Sequence, residues 1–430
     1  MSPSAAAVHQ DDRRTAHHFE ERASTMLSCR ICRGRLHEFM DFGQQPLSSG
    51  LLDPEYLGDE FFFRLAVGVC GDCTMVQLTE EVPRHLMFNS HYPYLSSGSS
   101  VMRRHFEATA QHFLETELDG KDSFLVELGC NDGVMLRTVA EAGVRHLGVE
   151  PSQSVADLAH RQGIRVITEF FQESTATDIR KAEGHAQVIF AANTICHIPY
   201  LDSIFKGVDA LLAPDGVFVF EDPYLADIVD LAAFDQIYDE HYYFFSVSSV
   251  SAMAERFGFE LVDVERLPVH GGEVRYTIAR AGRRTPAPAV AELLSRERER
   301  GLSELANLQG FVGRVERARD ELVSLLRTLR ADGRTVVGYG ATAKSATVAN
   351  YCGIGPDLVS FISDTTPNKQ GRLTPGSHIP VRSRGEFENP FPDYAVLFAW
   401  NHAEEIIAKE QQFRDSGGKW ILYVPDVRVV

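Results

Sequence analysis

Tyr238, Glu240 and His241 stand within four residues of one another in the segment QIYDEHYY. A phenol, a carboxylate and an imidazole at that spacing can take a proton, orient the group that takes it, and donate to a negative charge as it develops. His197, in ANTICHIPY just beyond the apolar run QVIFAAN, brings a second imidazole. Tyr92, in the polar-aromatic stretch NSHYPY, brings a further phenol, although that stretch alone reads as a domain-joining loop. A lone histidine is more often structural than catalytic. A cluster of such groups beside the open end of a sheet shifts the balance toward proton transfer.

A second chemistry is written in cysteine. Cys29 and Cys32 form one Cys-x-x-Cys pair, and Cys70 and Cys73 form another. Each pair puts two thiolates on one face of a tight turn, and two such turns close a tetrahedral site of four thiolates. Gly34 and Gly71 are expected to ease the turns. Four protein ligands leave no position for water, so the expected zinc is structural. Seven cysteines in all, an odd number with four in knuckles, point to metal before disulfides.

A third site is a glycine turn. The segment VELGCNDG follows an apolar strand and precedes a helix, and Gly129 and Gly133 let backbone approach a ligand closely. The next strand ends at Glu150, a carboxylate able to accept both hydroxyls of an adenosine ribose. Glu127, Asn131 and Asn193 complete the expected cofactor set. Asn131 stands where a middle glycine is common. Nucleotide-cofactor oxidoreductases usually show three glycines in G-x-G-x-x-G opening directly into the helix, and this turn does not. The pattern is similar to that of class I methyltransferases, which implies S-adenosylmethionine as cofactor.

These groups need elements to hold them. The runs SFLVELG, HLGVEP, AQVIFAAN and GVFVFEDP alternate with helical patterns, which predicts a parallel sheet with crossover helices. TVVGYGATAK, LVSFISDT, YAVLFAW and KWILYVP repeat that alternation. The expected fold class is α/β in three parts: a small N-terminal zinc-binding domain, a central class I methyltransferase Rossmann-like domain, and a second, C-terminal Rossmann-like domain. The expected boundaries are a disordered arm over 1–26, the zinc domain over 27–88, the cofactor domain over 89–281, linker and long helix over 282–332, and the last domain over 333–430. Within the linker region, a charged amphipathic helix is predicted from Val290 to Leu329, its charges forming a solvated face.

In the last domain Gly338 and Gly340 form a glycine turn before a helix that opens with Lys344 and Ser345. It is not a Walker A loop, because Ala343 precedes the Lys-Ser pair. Helix N-terminal amides and Lys344 could still meet a phosphate. The segments SDTTPNKQG (363–371) and WNHAEEI (400–406), the latter with Asn401 and His402, lie at later strand ends and are expected to complete a nucleotide pocket.

The order CxxC, CxxC, HYPYLSS, VELGCNDG, GVEPS, ANTICHIPY, YDEHYYFFS and GYGATAK resembles the TDP-sugar C-3 methyltransferases of antibiotic deoxysugar pathways. The resemblance runs from about Leu27 to the C-terminus. It implies structural zinc, S-adenosylmethionine in the middle domain, and a TDP-4-keto-6-deoxysugar between middle and C-terminal domains. It places the family's catalytic set on Tyr92, His197, Tyr238, Glu240 and His241. Methylating C-3 of a 4-keto sugar requires a base near C-3 and a donor near the C-4 oxygen, because carbon becomes nucleophilic only as an enolate. His241 is expected as base with Glu240 orienting it, and Tyr238 or His197 as donor, base and donor being interchangeable at this stage. Tyr92 would help close the site.

The formal net charge of −18 argues against nucleic acid as a partner. No apolar run is long enough to span a bilayer, and the N-terminus lacks the apolar core of a secretory signal, so a cytoplasmic enzyme is expected. Neither composition nor motif speaks to the oligomeric state. The rival readings are an O- or N-methyltransferase on another small molecule, a dinucleotide-dependent oxidoreductase using the C-terminal glycine turn, and a zinc-ribbon nucleic-acid binder.

Overall fold

The computed structural model describes residues 27–55, 57–58, 60–87, 96–120 and 122–430. The expected arm over 1–26 and Tyr92 lie outside them. Three sheets organise the chain. The first is built on β1 (Leu36–Pro46), β2 (Phe62–Cys70) and β3 (Val76–Leu78), all antiparallel. Its fourth strand is Tyr243–Phe244, which arrives from far along the chain and pairs antiparallel with Val76 and Gln77. The residues just after the Tyr/Glu/His cluster are thereby fixed to the cysteine-bearing sheet.

The second sheet carries β4 (Phe124–Leu128), β5 (Arg145–Val149), β6 (Val166–Ile167), β7 (Ala186–Ala192) and β8 (Leu212–Pro223). With β9 taken as Tyr243–Phe244, it is completed by β10 (Phe259–Leu267) and β11 (Glu273–Arg280). The order is β10-β11-β8-β7-β4-β5-β6, parallel from β8 to β6, with β11 antiparallel to β8 and β10 antiparallel to β11. Every residue of β4 is buried, as a strand covered by helices on both faces requires. Strand order reverses between β4 and β7, so a crevice opens beyond their carboxyl ends.

The third sheet repeats the device. It consists of β12 (Val336–Tyr339), β13 (Ile362–Ser363), β14 (Val381–Arg382), β15 (Tyr394–Leu397), β16 (Lys419–Leu422) and β17 (Arg428–Val429). The order is β14-β13-β12-β15-β16-β17, with only β17 antiparallel to its neighbour. Its crevice opens between β12 and β15. The three-part α/β fold expected from the sequence is the fold observed. Among the described residues no helix is long and apolar enough to cross a membrane.

The single helix predicted over Val290–Leu329 is two, Pro288–Glu299 and Leu305–Ala331. The chain breaks at Gly301, whose φ of +57° leaves the helical region and where a Cβ would lie 2.6 Å from the Glu304 side chain. Nor are all its charges a solvated face. Glu297 is 4% exposed and accepts from Tyr224 Oη, the Val247 and Ser248 amides, and Ser248 Oγ at 2.6–2.8 Å. It satisfies the open N-terminus of the helix Val247–Arg256 from outside that helix.

Candidate active site

The four knuckle cysteines converge. Cys29 Sγ lies 3.6 Å from Cys73 Sγ, and Cys32 Sγ lies 3.4 Å from Cys70 Sγ; all four sulfurs are within 4.8 Å of one another. Tetrahedral zinc with Zn–S bonds of about 2.3 Å sets sulfurs about 3.8 Å apart, so the donor set fits a single ion. The amides of Ile31, Gly34 and Asp72, and Gln77 Nε2, point at the sulfurs from 3.1–3.4 Å and stabilise thiolate charge. The left-handed residues of the turns are Arg33 and Thr74 rather than the expected glycines. Gly34 is needed for space instead, since a Cβ there would lie 2.0 Å from the Asp72 carboxylate.

At the carboxyl end of β4 the turn residues Gly129, Asn131 and Gly133 all have positive φ, of 65°, 50° and 78°. Asn131 thus adopts the conformation for which glycine is usual, and its Oδ1 accepts from the Ser96 amide at 2.9 Å. Glu150 accepts from the Asn131 amide at 3.1 Å and the Ser152 amide at 2.9 Å. Burial pushes its carboxyl up, and the two amides pull it only part of the way back. Gly129, Asn131 and Glu150 line a pocket of about 700 Å³ together with Arg84, Phe170, Phe171, Asn193, His197 and Tyr200. Glu127 is wholly buried beneath the turn, and burial, then the charges of Asp132, Glu150 and Glu221, raise its carboxyl well above the usual range. Glu127 Oε2 has no hydrogen-bond partner among the described residues. Glu150 faces the pocket at the end of the second strand, where a carboxylate can accept the ribose hydroxyls of an adenosine-bearing ligand such as S-adenosylmethionine.

A second and larger cavity, about 2010 Å³, lies where the three sheets meet. Tyr238, Glu240 and His241 line it, with Ser48 and Ser49 on one side and Gly340, Lys344, Ser345, Asn401 and His402 on another. Gly338 is set back within β12, where a Cβ would collide with Phe398 and Ile362 at 2.7–2.8 Å. Asn193 and His197 line both this cleft and the smaller pocket. The two spaces therefore meet at the end of β7.

Tyr238 Oη and His241 Nε2 are 2.7 Å apart, and His241 Nδ1 is 2.8 Å from the Gln236 carbonyl. A carbonyl can only accept, so Nδ1 carries the proton and Nε2 accepts from the phenol. Burial, then the neighbouring His197, hold His241 well below the usual imidazole range. His197 stacks on it at 5.1 Å, and burial lowers His197 to about 4. Both rings are thus uncharged at neutral pH, with burial disfavouring their charged forms. Both nitrogens of His241 are spoken for without Glu240, whose Oε1 accepts from Ser49 Oγ at 2.7 Å. The expected orienting role passes to Gln236. Cys196, His197 and His241 also have potential ligand atoms within 4.8 Å of one another, but the two hydrogen bonds of His241 favour proton transfer there over metal.

Sequence reasoning overlooked the residues that hold this loop. Asp235 is fully buried and accepts from Trp400 Nε1 at 2.6 Å and Tyr423 Oη at 2.7 Å. Ile237 O accepts from Thr347 Oγ1, Asp239 accepts from the Ser48 amide, and Gln236 donates to His270 O. Asp364, after β13 in the segment SDTTPNKQG, accepts from the Ala341 and Thr366 amides at 2.9 and 2.8 Å. That arrangement repeats Glu150 with Asn131 and Ser152. The sequence signal for both is an acid ending the second strand of each Rossmann-like unit.

Comparison with known proteins fits this geometry. A family model for a zinc-binding domain matches residues 29–88, one for a methyltransferase domain matches 102–264, and one for a C-methyltransferase C-terminal domain matches 268–425. The C-methyltransferase NovU of Streptomyces niveus is 36% identical over 94% of this chain and 96% of its own. The chain belongs to the C-methyltransferase family. This C-methyltransferase uses S-adenosylmethionine as methyl donor and carries zinc on its four knuckle cysteines. Among solved structures, a methyltransferase from Anabaena variabilis is similar at 16% identity and a TM-score of 0.33, covering 44% of this chain and 88% of its own. Magnesium protoporphyrin IX methyltransferase from Synechocystis is similar at 11% identity and a TM-score of 0.31, covering 42% and 79%.

Proposed function

We propose that this C-methyltransferase acts on C-3 of a TDP-linked 4-keto-6-deoxysugar, through an enolate, in cytoplasmic deoxysugar and antibiotic biosynthesis. One observation carries the reading: Asn193 and His197 face both the pocket that holds Glu150 and the cleft that holds Tyr238 and His241. A sugar in the cleft then has a proton acceptor on one side and the methyl donor on the other.

Glu150 is assigned to the ribose hydroxyls of the donor, and Gly129 and Asn131 to the backbone surface against which it rests, while Glu127 and Gly133 shape the turn from behind the pocket wall. S-adenosylmethionine, when bound, supplies the electrophilic methyl group. The C-3 proton passes to the Tyr238–His241 pair, with the phenol oxygen taking it as the phenol hydrogen moves to His241 Nε2. The imidazolium so formed stays held through Nδ1 by the Gln236 carbonyl. His197 and Asn193 orient the sugar at the junction. The nucleotide is assigned to the C-terminal crevice, against Gly340, Ser345, Asn401 and His402, with Lys369 and Lys409 also lining it, while Gly338 lies behind it within β12.

Incubation with S-adenosylmethionine and a panel of TDP-4-keto-6-deoxysugars, read by mass spectrometry, tests the substrate class. Gain of one methyl group is expected, and no gain with any sugar would overturn it. Exchange of C-3 hydrogen for deuterium without the methyl donor separates the enolate route from O- or N-methylation, which needs no such step.

A further inference from the structure

Lys344 is out of place for a phosphate ligand. Its helix, Ala343–Cys352, is capped by Thr342, whose hydroxyl accepts from the Ser345 amide. The turn amide of Ala341 is already given to Asp364, and Lys369 Nζ sits there too, 2.8 Å from the Ala341 carbonyl. Lys344 instead runs inward. Its ammonium is fully buried, 5.4 Å from the centre of the Trp400 ring, and Nζ has no hydrogen-bond partner among the described residues. Burial lowers its proton affinity, which the charges of two carboxylates oppose; of these, Asp235 has Oδ2 occupied by Trp400 and Tyr423, while its Oδ1 has no hydrogen-bond partner among the described residues. The other, Glu273, lies beside Asn193, and burial followed by the charge of Glu221 raises it well above the usual carboxyl range. That favours the neutral acid. Lys344 lines the same cleft as Tyr238, His241, His270 and Asn193.

A buried cation without an acceptor is costly unless a ligand brings one. We propose that Lys344 is a catalytic residue whose Nζ–H donates to the C-4 oxygen of the sugar as it becomes an enolate oxygen. The proposal rests on the enolate reading above and adds its missing electrophile. In the step, the C-3–H bond breaks and the proton goes to the Tyr238–His241 pair. The bonding electrons form the C-3–C-4 double bond, and the carbonyl π pair moves onto the C-4 oxygen, where the ammonium meets it. No charge is created or lost, and no further reactant is required. Donors fixed beforehand at a developing oxyanion, away from water, are among the largest single contributions to catalysis.

The test is C-3 deuterium wash-in from D2O into a TDP-4-keto-6-deoxysugar without S-adenosylmethionine, alongside calorimetric titration with TDP alone. Lys344→Met keeps the length and removes the charge, so it is expected to fold; Lys344→Gln serves if it does not. The Met variant should slow exchange at saturating sugar by about 10²- to 10³-fold, the range for loss of one oxyanion donor, while TDP affinity stays within about threefold of wild type. The Gln variant should lose at least about tenfold in exchange. Exchange at the wild-type rate in either folded variant would overturn the assignment, as would a tenfold loss of TDP affinity with exchange unimpaired, which would return Lys344 to the phosphates. Absence of exchange in the wild-type enzyme would overturn the enolate reading and this inference with it, so the two failures are distinguishable.

Discussion

In the proposed mechanism two side chains, Tyr238 and His241, joined by a 2.7 Å hydrogen bond, work as one unit. The Tyr238 phenol donates to His241 Nε2, and His241 can receive its proton because Gln236 fixes Nδ1 as the protonated nitrogen. Tyr238→Phe and His241→Asn should therefore each lower turnover by about 10²- to 10⁴-fold. The double variant should be no worse than the poorer single, since groups working as a unit are not additive. Turnover measured under saturation for the three variants checks this, and additive losses would mean separate roles. The same burial gives a pH dependence of stability. His197 and His270 are lowered from 6.5 to about 4 and about 3, each first by burial. Between those values and 6.5 the unfolded chain binds protons that the folded one does not, so stability falls as pH falls below 6.5. Each histidine should cost about 2 kcal/mol at pH 5 relative to neutral pH. Urea denaturation from pH 7.5 to 5 should show the decline, and His197→Gln should flatten its share.

At the scale of elements, the junction depends on ends meeting rather than on any one strand. The acid–amide construction beyond β5 recurs beyond β13, so each Rossmann-like unit holds its glycine turn against the following strand by the same device. Glu297 performs a comparable task for the helix Val247–Arg256, from the end of a neighbouring helix. Glu297→Ala leaves two amides and two hydroxyls inside the protein without their acceptor. Unfolding in urea should show a loss of about 3 kcal/mol, in the range for stranded buried donors. Turnover at low temperature should persist, because Glu297 does not line the cleft. An effect below about 0.5 kcal/mol would mean that water replaces it without cost.

The whole molecule is required to complete the site, because the loop from Asp235 to His241 is held from both the N-terminal and the C-terminal parts. Ser48 and Ser49 hold Asp239 and Glu240 from the zinc-bearing part, while Trp400, Tyr423 and Thr347 hold Asp235 and Ile237 from the C-terminal part. Asp235→Asn should lower kcat by about tenfold with KM little changed, since displacement by a fraction of an ångström suffices to spoil alignment. A rise in KM alone would contradict this. Stripping zinc with a chelator should loosen the sheet that receives Tyr243–Phe244, lowering turnover although no cysteine of the knuckles lines the cleft; re-addition of zinc should restore it, and full activity in metal-free protein would refute the coupling. Much of this enzyme is legible in its sequence. Paired Cys-x-x-Cys spacing, apolar runs of strand length and a glycine turn before a helix are local patterns, set by ligand geometry and backbone sterics, and they gave the three-part fold and the metal ligands. The helix break at Gly301 was missed because charged periodicity continues across it. The partners of Asp235, Glu240 and Glu297, and the inward course of Lys344, arise only when distant segments pack. A side chain's acceptor, burial and proton affinity depend on those neighbours, which no local spacing encodes.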